Sequence, residues 1–262
     1  MITSESNAQI KEVIKLLKQN KARKKSNSFV VEGFKMVSEA ASYDKLKKVY
    51  VSDYILERGD ERLNDIIKGC PYEEVSDNIF KQMSDTVTPQ GIIGIADIPK
   101  YSIESILDDD KKTWLLLDNL RDPGNLGTIM RTAEGAGMSG VILSKESVDL
   151  FNPKVVRSTM GAIFRMPYIY VDSLVDTARQ IQQAGYRIYG TAMEGSVVYD
   201  EPDYTKGAGF VIGNEANGVS DEVFAEMTDK IRIPMGGKLE SLNAAVAAAI
   251  VMYEAARQKR KL

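Results

Sequence analysis

The stretch TWLLLDNLRDPGNLGTIMRTAEGAG, residues 113–137, decides the fold class of this chain. Residues 114–117 form a continuous apolar run of strand length, a Pro/Gly/Asn turn follows, and residues 126–136 have a helical pattern. Residues 141–143 are the next apolar run. A buried strand, a turn, a helix and a second buried strand are typical of an α/β unit with parallel strands.

The same alternation continues to the C-terminus. The predicted strands cover residues 167–171, 187–191, 210–213 and 230–233, and the predicted helices cover residues 155–161, 174–184, 221–227 and 242–258. The pattern predicts an α/β fold whose C-terminal sheet is mostly parallel, with helices on both faces. The last helix is rich in alanine, which allows close packing against a neighbour.

A smaller α/β pattern precedes this region. It begins with a helix of apolar residues 10, 13, 14 and 17, followed by a basic loop at residues 21–28. A strand at 29–32, a helix and a strand at 49–51 then predict a βαβ unit, and a further helix at 63–67 and strand at 92–96 complete it. We predict a first domain at residues 1–97, a linker at 98–112 and a second domain at 113–262.

The composition excludes several kinds of active site. The chain has no histidine and one cysteine, Cys70, so it cannot build Ser-His-Asp triads, Cys-His pairs or histidine-ligated zinc. No metal site is expected. No apolar run reaches the roughly 18 residues of a membrane span, and the first residues lack the layout of a signal peptide. We therefore expect a cytoplasmic protein without a membrane partner.

Positive charge is concentrated near the N-terminus, although the chain has a formal net charge of -3. Only four acidic residues lie between positions 11 and 48. The basic residues there are Lys11, Lys15, Lys18, Lys21, Arg23, Lys24, Lys25, Lys35, Lys45, Lys47 and Lys48. This asymmetry favours a polyanion-binding end. A solvated helix face is the alternative, which the charge alone leaves open.

Three loops carry polar residues after predicted strands, where α/β sheets bind ligands. In the first, Asn125 is placed to cap the helix that carries Arg131 and Glu134, and a surface ion pair between these two is the alternative to a functional role. In the second, Glu215 lies at the end of a predicted strand. A simple turn explains the glycines of this loop but not the carboxylate, which favours a functional role for Glu215. In the third, Ser241 precedes the last helix, and taken alone this position favours a simple helix cap over a functional role.

The three loops together resemble the motifs of the SpoU branch of the SPOUT methyltransferases. The resemblance rests on PGNLGTIMRTAEGAG (123–137), VIGNEANGVS (211–220), and IPM (233–235) followed by ESLNAAVAAAI (240–250). In the N-terminal region, FVVEGFKMVSEA (29–40) and TPQGIIGIA (88–96) resemble the substrate-binding domain of members that act on ribosomal RNA, which has an L30e-like fold found in ribosomal proteins. The resemblance covers nearly the whole chain.

This resemblance implies a deep trefoil knot in the catalytic domain, a cleft for S-adenosylmethionine, and a homodimer in which each site is completed by the partner's first-motif helix. The cofactor contacts that it implies are Thr191, Gly213, Ile233 and Leu242. The catalytic residues that it implies are Asn125, Arg131, Glu215, Ser241 and Asn243. The family commonly has a small residue where this chain has Asn214, so the contact at that position is left open.

The implied reaction is methylation of an RNA ribose 2′-hydroxyl, on 23S ribosomal RNA. Because a guanidinium normally stays protonated, we assign Arg131 to binding phosphate or stabilising a developing alkoxide, and it takes the proton only if RNA binding changes its state. A transfer-RNA methyltransferase with the same catalytic residues is one alternative. A non-catalytic RNA-binding protein is the other, but it would not need all three motifs intact.

Overall fold

The computed structural model describes residues 1–108, 112–192, 196–239 and 241–260, which fall into two compact units. The first unit contains Met1–Lys100 and Asp149–Phe164, and the second contains Tyr101–Val148 and Arg165–Leu262. Four parts of the predictions lie outside the described residues. These are positions 109–111 of the linker, positions 193–195 and 261–262 of the second predicted domain, and Glu240 of the third motif.

The first unit is a four-stranded sheet covered by helices. Its elements are α1 (Ala8–Lys18), α2 (Asn20–Ser26), β1 (Ser28–Glu32), α3 (Phe34–Ser42), β2 (Leu46–Ser52), α4 (Asp53–Arg58), α5 (Glu61–Gly69), β3 (Tyr72–Val75), α6 (Asp77–Met83), β4 (Ile92–Asp97), α9 (Pro153–Ser158) and a 3₁₀ turn at Ala162–Phe164. The strand order is β1-β4-β2-β3. The predicted strands at 29–32, 49–51 and 92–96 are confirmed, with no end more than three residues from its prediction.

The predicted βαβ unit differs from the structure in one respect. β1 and β2 run parallel, but they are not neighbours, because β4 lies between them and pairs antiparallel with both. The core is formed by buried side chains of α1 and of the strands, among them Ile10, Val13, Tyr50 and Ile93. The helical spacing in α1 therefore gave the buried face correctly, whereas strand order could not be read from apolar periodicity.

The predicted basic loop at residues 21–28 is wrong in its first part, because residues 20–26 form α2. Arg23 also differs from its lysine neighbours, since its guanidinium is buried. Its Nε and Nη2 donate to Asp149 Oδ2 at 3.0 and 2.5 Å, and its Nη1 donates to the carbonyl oxygens of Leu16 and Leu17 at 2.5 and 3.1 Å. Arg23 is therefore a structural residue and does not add to the positive surface.

We expect Arg23→Ala to lower the free energy of unfolding by about 3 kcal/mol, because it leaves the Asp149 carboxylate and two carbonyls without their donor. Lys24→Ala, on the same helix but exposed, should change it by less than about 0.5 kcal/mol. Urea unfolding of both variants measures the difference. Equal unfolding midpoints for the two would contradict the structural role of Arg23.

The segment Asp149–Phe164 belongs to the first unit although the sequence predicts it within the catalytic domain. Its Phe151 and Phe164 rings pack on Phe29 of β1, with centroids 4.8 and 5.7 Å away. The Arg23–Asp149 ion pair lies at the start of the same segment. Apolar contacts and one buried ion pair thus hold the segment Asp149–Phe164 against β1 and α2.

The second unit is built on a seven-stranded sheet. Its elements are α7 (Ile103–Leu107), β5 (Thr113–Leu117), α8 (Pro123–Ala136), β6 (Gly140–Ser144), β7 (Tyr168–Val171), α10 (Leu174–Gln183), β8 (Arg187–Thr191), β9 (Val197–Val198), β10 (Ala208–Ile212), α11 (Asp221–Ala225), β11 (Asp229–Arg232) and α12 (Ala244–Lys259). Helix α7 occupies part of the predicted linker. Its Ile106 is buried, and the Ile106 carbonyl accepts from Trp114 Nε1 at 2.8 Å.

The strand order in this sheet is β7-β6-β5-β10-β8-β11-β9, and every pairing among the described residues is parallel. This confirms the predicted α/β fold. Trp114, Leu116 and Val211 pack against Leu174 and Ile181 of α10 in the core. The trefoil knot stays a prediction, because strand order does not describe how the loops thread. Among the described residues, no helix combines the length and the hydrophobicity needed to cross a membrane.

Candidate functional site

The three polar loops lie at one edge of the parallel sheet. They follow β5, β10 and β11, and because all strands are parallel their carboxyl ends face the same side. β5 neighbours β10 directly, while β8 separates β10 from β11. The sheet thus brings the first loop near the other two, and Glu215 and Asn243 lie 90 and 118 residues beyond Asn125 in the sequence.

A chain of hydrogen bonds joins one residue from each loop. Asn125 Nδ2 donates to Glu215 Oε1 at 3.0 Å, and Asn243 Nδ2 donates to Asn125 Oδ1 at 2.9 Å. These bonds fix the orientation of the Asn125 amide, because its oxygen accepts from one neighbour and its nitrogen donates to the other. Three of the five predicted catalytic residues therefore form one polar cluster.

The helix caps in this cluster differ from those predicted. Asp122, not Asn125, caps α8, and its Oδ1 accepts from Asn125 N at 2.7 Å. Asn243, not Ser241, caps α12, and its Oδ1 accepts from the backbone nitrogens of Ala245 and Val246 at 2.9 and 3.3 Å. The Asn125 and Ser241 side chains are thus released from capping, while Asn243 serves both the helix and the cluster.

Glu215 organises the first loop as well. Its carboxylate also accepts from the backbone nitrogens of Asp122 and Arg121, at 3.1 and 3.3 Å. Partial burial on its own raises the pKa of Glu215, but the hydrogen bonds from Asn125 and from these amides outweigh it and hold the pKa below its ordinary value of 4.5. Glu215 is therefore ionised near neutral pH and acts as an acceptor.

This lowered pKa predicts how stability depends on pH. Because the folded-state pKa of Glu215 lies below its unfolded value, the stability that the ionised side chain contributes is present above pH 4.5 and is lost as the pH falls through the folded pKa. The unfolding free-energy difference between the wild type and Glu215→Gln should be constant from pH 7 to about 5 and shrink below that. A difference that grows on acidification would contradict this assignment.

The second loop depends on a close backbone approach. A Cβ at Gly213 would lie 2.2 Å from the carbonyl carbon of Gly218, so only glycine fits there. Asn214 Nδ2 donates to the carbonyl of Asn119 at 2.8 Å, while its Oδ1 accepts from the backbone of Ala216 and Asn217. The asparagine that departs from the family pattern thus ties the second loop to the first.

A cavity of about 210 Å³ opens beside the third loop. It is lined by Thr191, Ala192, Ile231, Arg232, Ile233, Met235, Ser241, Leu242 and Ala247. Three of the four predicted cofactor residues, Thr191, Ile233 and Leu242, line it, and Gly213 does not. Ser241, predicted as catalytic, lies in this cavity rather than in the polar cluster. Residues 241–243 connect the two, because Ser241 and Leu242 line the cavity and Asn243 joins the cluster.

Arg131 lies apart from the polar cluster of its own chain. It is six residues beyond Asn125 on α8, which is about 9 Å along the helix axis and a third of a turn off its face. Its side chain is exposed and makes no hydrogen bond or ion pair with any residue that the structure describes. The ion pair suggested between Arg131 and Glu134 is absent, since Glu134 Oε1 binds Arg165 Nε at 2.9 Å.

The fold and the site define a class of protein: a parallel α/β enzyme that binds a ligand at the carboxyl ends of its strands. A family model described as the SpoU rRNA Methylase family matches residues 112–253, and one described as an MRM3-like substrate binding domain matches residues 7–94. The chain belongs to the SpoU rRNA methylase family. The resemblance seen in its three motifs is thereby confirmed.

Relatives match nearly the full length of the chain. The 23S rRNA (guanosine(2553)-2'-O)-methyltransferase RlmP of Bacillus subtilis is 35% identical over 96% of this chain and 97% of its own length. An AdoMet-bound rRNA methyltransferase from Sinorhizobium meliloti has a TM-score of 0.84 at 33% identity, covering 98% of this chain and 97% of that one. The AdoMet complex of the SpoU methyltransferase AviRb from Streptomyces viridochromogenes has a TM-score of 0.88 at 25% identity, covering 97% and 98%.

Proposed function

We propose that this chain transfers a methyl group from S-adenosylmethionine to a ribose 2′-hydroxyl of 23S ribosomal RNA. The observation that carries the proposal is the junction at residues 241–243, where an apolar cavity meets the cluster of Asn125, Glu215 and Asn243. Methyl transfer needs a site for the methyl donor beside a site for the polar acceptor, and here the apolar cavity and the polar cluster are adjacent. The similarity to RlmP supports the 2′-O position and the 23S substrate.

The cavity fits S-adenosylmethionine in its chemistry. Ile231, Ile233, Met235 and Leu242 give it apolar walls, which suit an adenine ring, and Thr191 is among its few polar groups. When bound, the cofactor supplies an electrophilic methyl group. We assign Thr191, Ile233 and Leu242 to holding it, and Gly213 to shaping the second loop through its contact with Gly218.

The residues of the polar cluster position the RNA. Glu215, ionised and bonded to backbone amides, holds the first loop, and Asn125 and Asn243 are oriented by their mutual hydrogen bond. The chain has no histidine to accept a proton. We assign Arg131 to the substrate phosphate or to stabilising negative charge that develops on the ribose oxygen.

We further propose that the chain acts as a homodimer in which Arg131 serves the partner's site. Two observations support this arrangement. Arg131 is exposed and does not contact the cluster of its own chain, and α12 leaves Val246 and Tyr253, two turns apart, each 48% exposed. An apolar helix face of this kind suits an interface with a second copy. Mixing Arg131→Ala subunits with Glu215→Gln subunits tests the exchange of Arg131 between subunits.

Methyl transfer to purified RNA tests the function itself. The protein and labelled S-adenosylmethionine are incubated with ribosomal RNA and, separately, transfer RNA from cells that lack the gene, and alkaline hydrolysis then locates 2′-O-methylated nucleotides. We expect one protected position in 23S ribosomal RNA. Labelling of transfer RNA alone would favour the transfer-RNA alternative. Tight RNA binding without any transfer would instead identify a non-catalytic RNA-binding protein.

A further inference from the structure

The first unit contains a cavity of about 500 Å³ at the end of its sheet, where β1 leads into α3 and β4 begins. Phe34, Tyr54, Arg58, Arg62 and Gln90 line it. Neither the cofactor cavity nor the polar cluster uses any of these residues. The cavity thus brings two aromatic rings, two guanidinium groups, the Asp60 carboxylate and one amide to the same space.

Tyr54 presents an open ring in this cavity. Its side chain is 52% exposed, although large apolar rings are normally covered. Arg58, one helical turn along α4, donates from Nη1 to Tyr54 Oη at 2.7 Å, and its Cζ lies 5.3 Å from the ring centroid. The arginine thus holds the ring in position from one side, and about half of the tyrosine stays exposed.

Arg62 forms a second flat surface. Its Cζ lies 4.2 Å from the centroid of the Phe34 ring. Its Nε and Nη2 donate to the two oxygens of Asp60 at 2.9 and 2.6 Å, and these hydrogen bonds lower the pKa of the Asp60 carboxyl. The guanidinium is therefore fixed in its plane by one partner on its edge and another on its face, and its charge is offset by Asp60.

Gln90 offers an oriented hydrogen-bond donor. Its Oε1 accepts from the backbone nitrogen of Phe34 at 3.0 Å, which leaves Nε2 as the free end. Nε2 has no protein partner among the described residues. Gly33, with φ of +86°, makes this approach possible, because a Cβ there would lie 2.9 Å from Gln90 Oε1. The backbone therefore determines which end of the amide is available.

The loop that carries Gln90 is anchored by one carboxylate. Glu32 accepts from the hydroxyls of Ser84 and Thr86 and from the backbone nitrogen of Asp85. Val87, directly after this anchor, is fully exposed. The loop that forms this wall of the cavity is thus fixed by hydrogen bonds to Glu32, and it exposes the apolar side chain of Val87 to solvent.

We infer that this cavity binds an unpaired nucleobase of the RNA substrate, stacked on Tyr54 and the Arg62 guanidinium and bonded through a carbonyl oxygen to Gln90 Nε2. The inference rests on the proposed function for the presence of RNA. A base within a duplex has both faces covered, so only an unpaired one can use these surfaces. A phosphate is the weaker candidate, because Asp60 already offsets the charge of Arg62 and Arg58 donates to the Tyr54 hydroxyl.

The test uses the full-length protein and two RNA octamers with equal numbers of phosphates, one a mixed single strand and one with abasic ribose at every position. Tyr54→Ala should weaken binding of the single strand about tenfold, the loss expected for one stacked base, without changing the slope of log Kd against log salt. Tyr72→Ala is the matched control, since Tyr72 is a 46%-exposed tyrosine on β3 outside the cavity. Tyr54→Ala that binds as tightly as Tyr72→Ala would overturn the inference.

A fluorescent reporter locates the bound base. Tyr54→Trp introduces an indole into the cavity, and the only natural tryptophan, Trp114, is buried. The single strand should quench this indole and the abasic octamer should not, whereas equal quenching by both would assign the cavity to phosphate and overturn the inference. Methyl transfer by the wild type to ribosomal RNA is measured in parallel. Its absence would contradict the proposed function, while the octamer results alone decide the nucleobase site.

Discussion

Replacing Arg131 with alanine is expected to reduce the single-turnover rate of methyl transfer at least about a thousandfold, which corresponds to about 4 kcal/mol in the barrier. The fold should be unaffected, because Arg131 is exposed and has no partner within the described part of its own chain. Affinity for S-adenosylmethionine should also be unchanged, since Arg131 does not line the cofactor cavity. Calorimetry with the cofactor and rapid-quench transfer to RNA measure these two quantities.

Two further variants sharpen this experiment. Arg131→Lys keeps the charge but loses the planar fork, so a bidentate phosphate contact should be lost in both variants. Arg260→Ala removes another exposed arginine, about 26 Å along α12 from Asn243, and should transfer at the wild-type rate. If Arg131→Ala retains more than about a tenth of the wild-type rate, the catalytic assignment is wrong.

Mixing two inactive variants should restore activity if Arg131 serves the partner's site. In a dimer of Arg131→Ala with Glu215→Gln, the subunit that keeps Glu215 would receive an intact Arg131 from its partner. Random assembly makes half of the dimers mixed, with one intact site in each. About a quarter of the wild-type activity should therefore return from two preparations that are each nearly inactive. Co-expression with two affinity tags provides the mixed dimer for assay.

The control pairs Glu215→Gln with Asn125→Ala. These residues are hydrogen-bonded within one chain, so every site in the mixed dimer still lacks one of them and no activity should return. A mixture of Arg131→Ala with Glu215→Gln that stays as inactive as this control would show that Arg131 acts within its own subunit. Sedimentation at about 29 kDa under assay conditions would contradict the dimer directly.

The long strands and helices could be predicted because their apolar residues repeat with the period of the element that they form. The elements missed were short or polar, such as β3 with the sequence YEEV and β9 with two residues. The order of strands in the first sheet depends on pairings across the chain, which periodicity does not contain. A pattern of apolar residues thus predicts where strands and helices lie in the sequence, but not which strands pair with each other in the sheet.

The candidate site was predicted by the motif resemblance more than by the chemistry of single residues. Asn125 and Ser241 were both placed as helix caps, but Asp122 directly before Pro123 and Asn243 directly before Ala244 take those roles. An acidic residue preceding a proline at the first helical position is a cap signal that the sequence did contain. The Glu134–Arg165 ion pair had no such signal, because its partners are 31 residues apart.

The return of Asp149–Phe164 to the first unit limits how this protein can exchange parts with its relatives. A single crossover between residues 100 and 148 would combine Phe29 and Arg23 of one parent with Phe151, Phe164 and Asp149 of the other. Only parents that share those contacts would give a stable chimaera. Residues 1–100 are thus continuous in the gene but lack sixteen residues of the first unit, and those sixteen must change in step with β1 and α2.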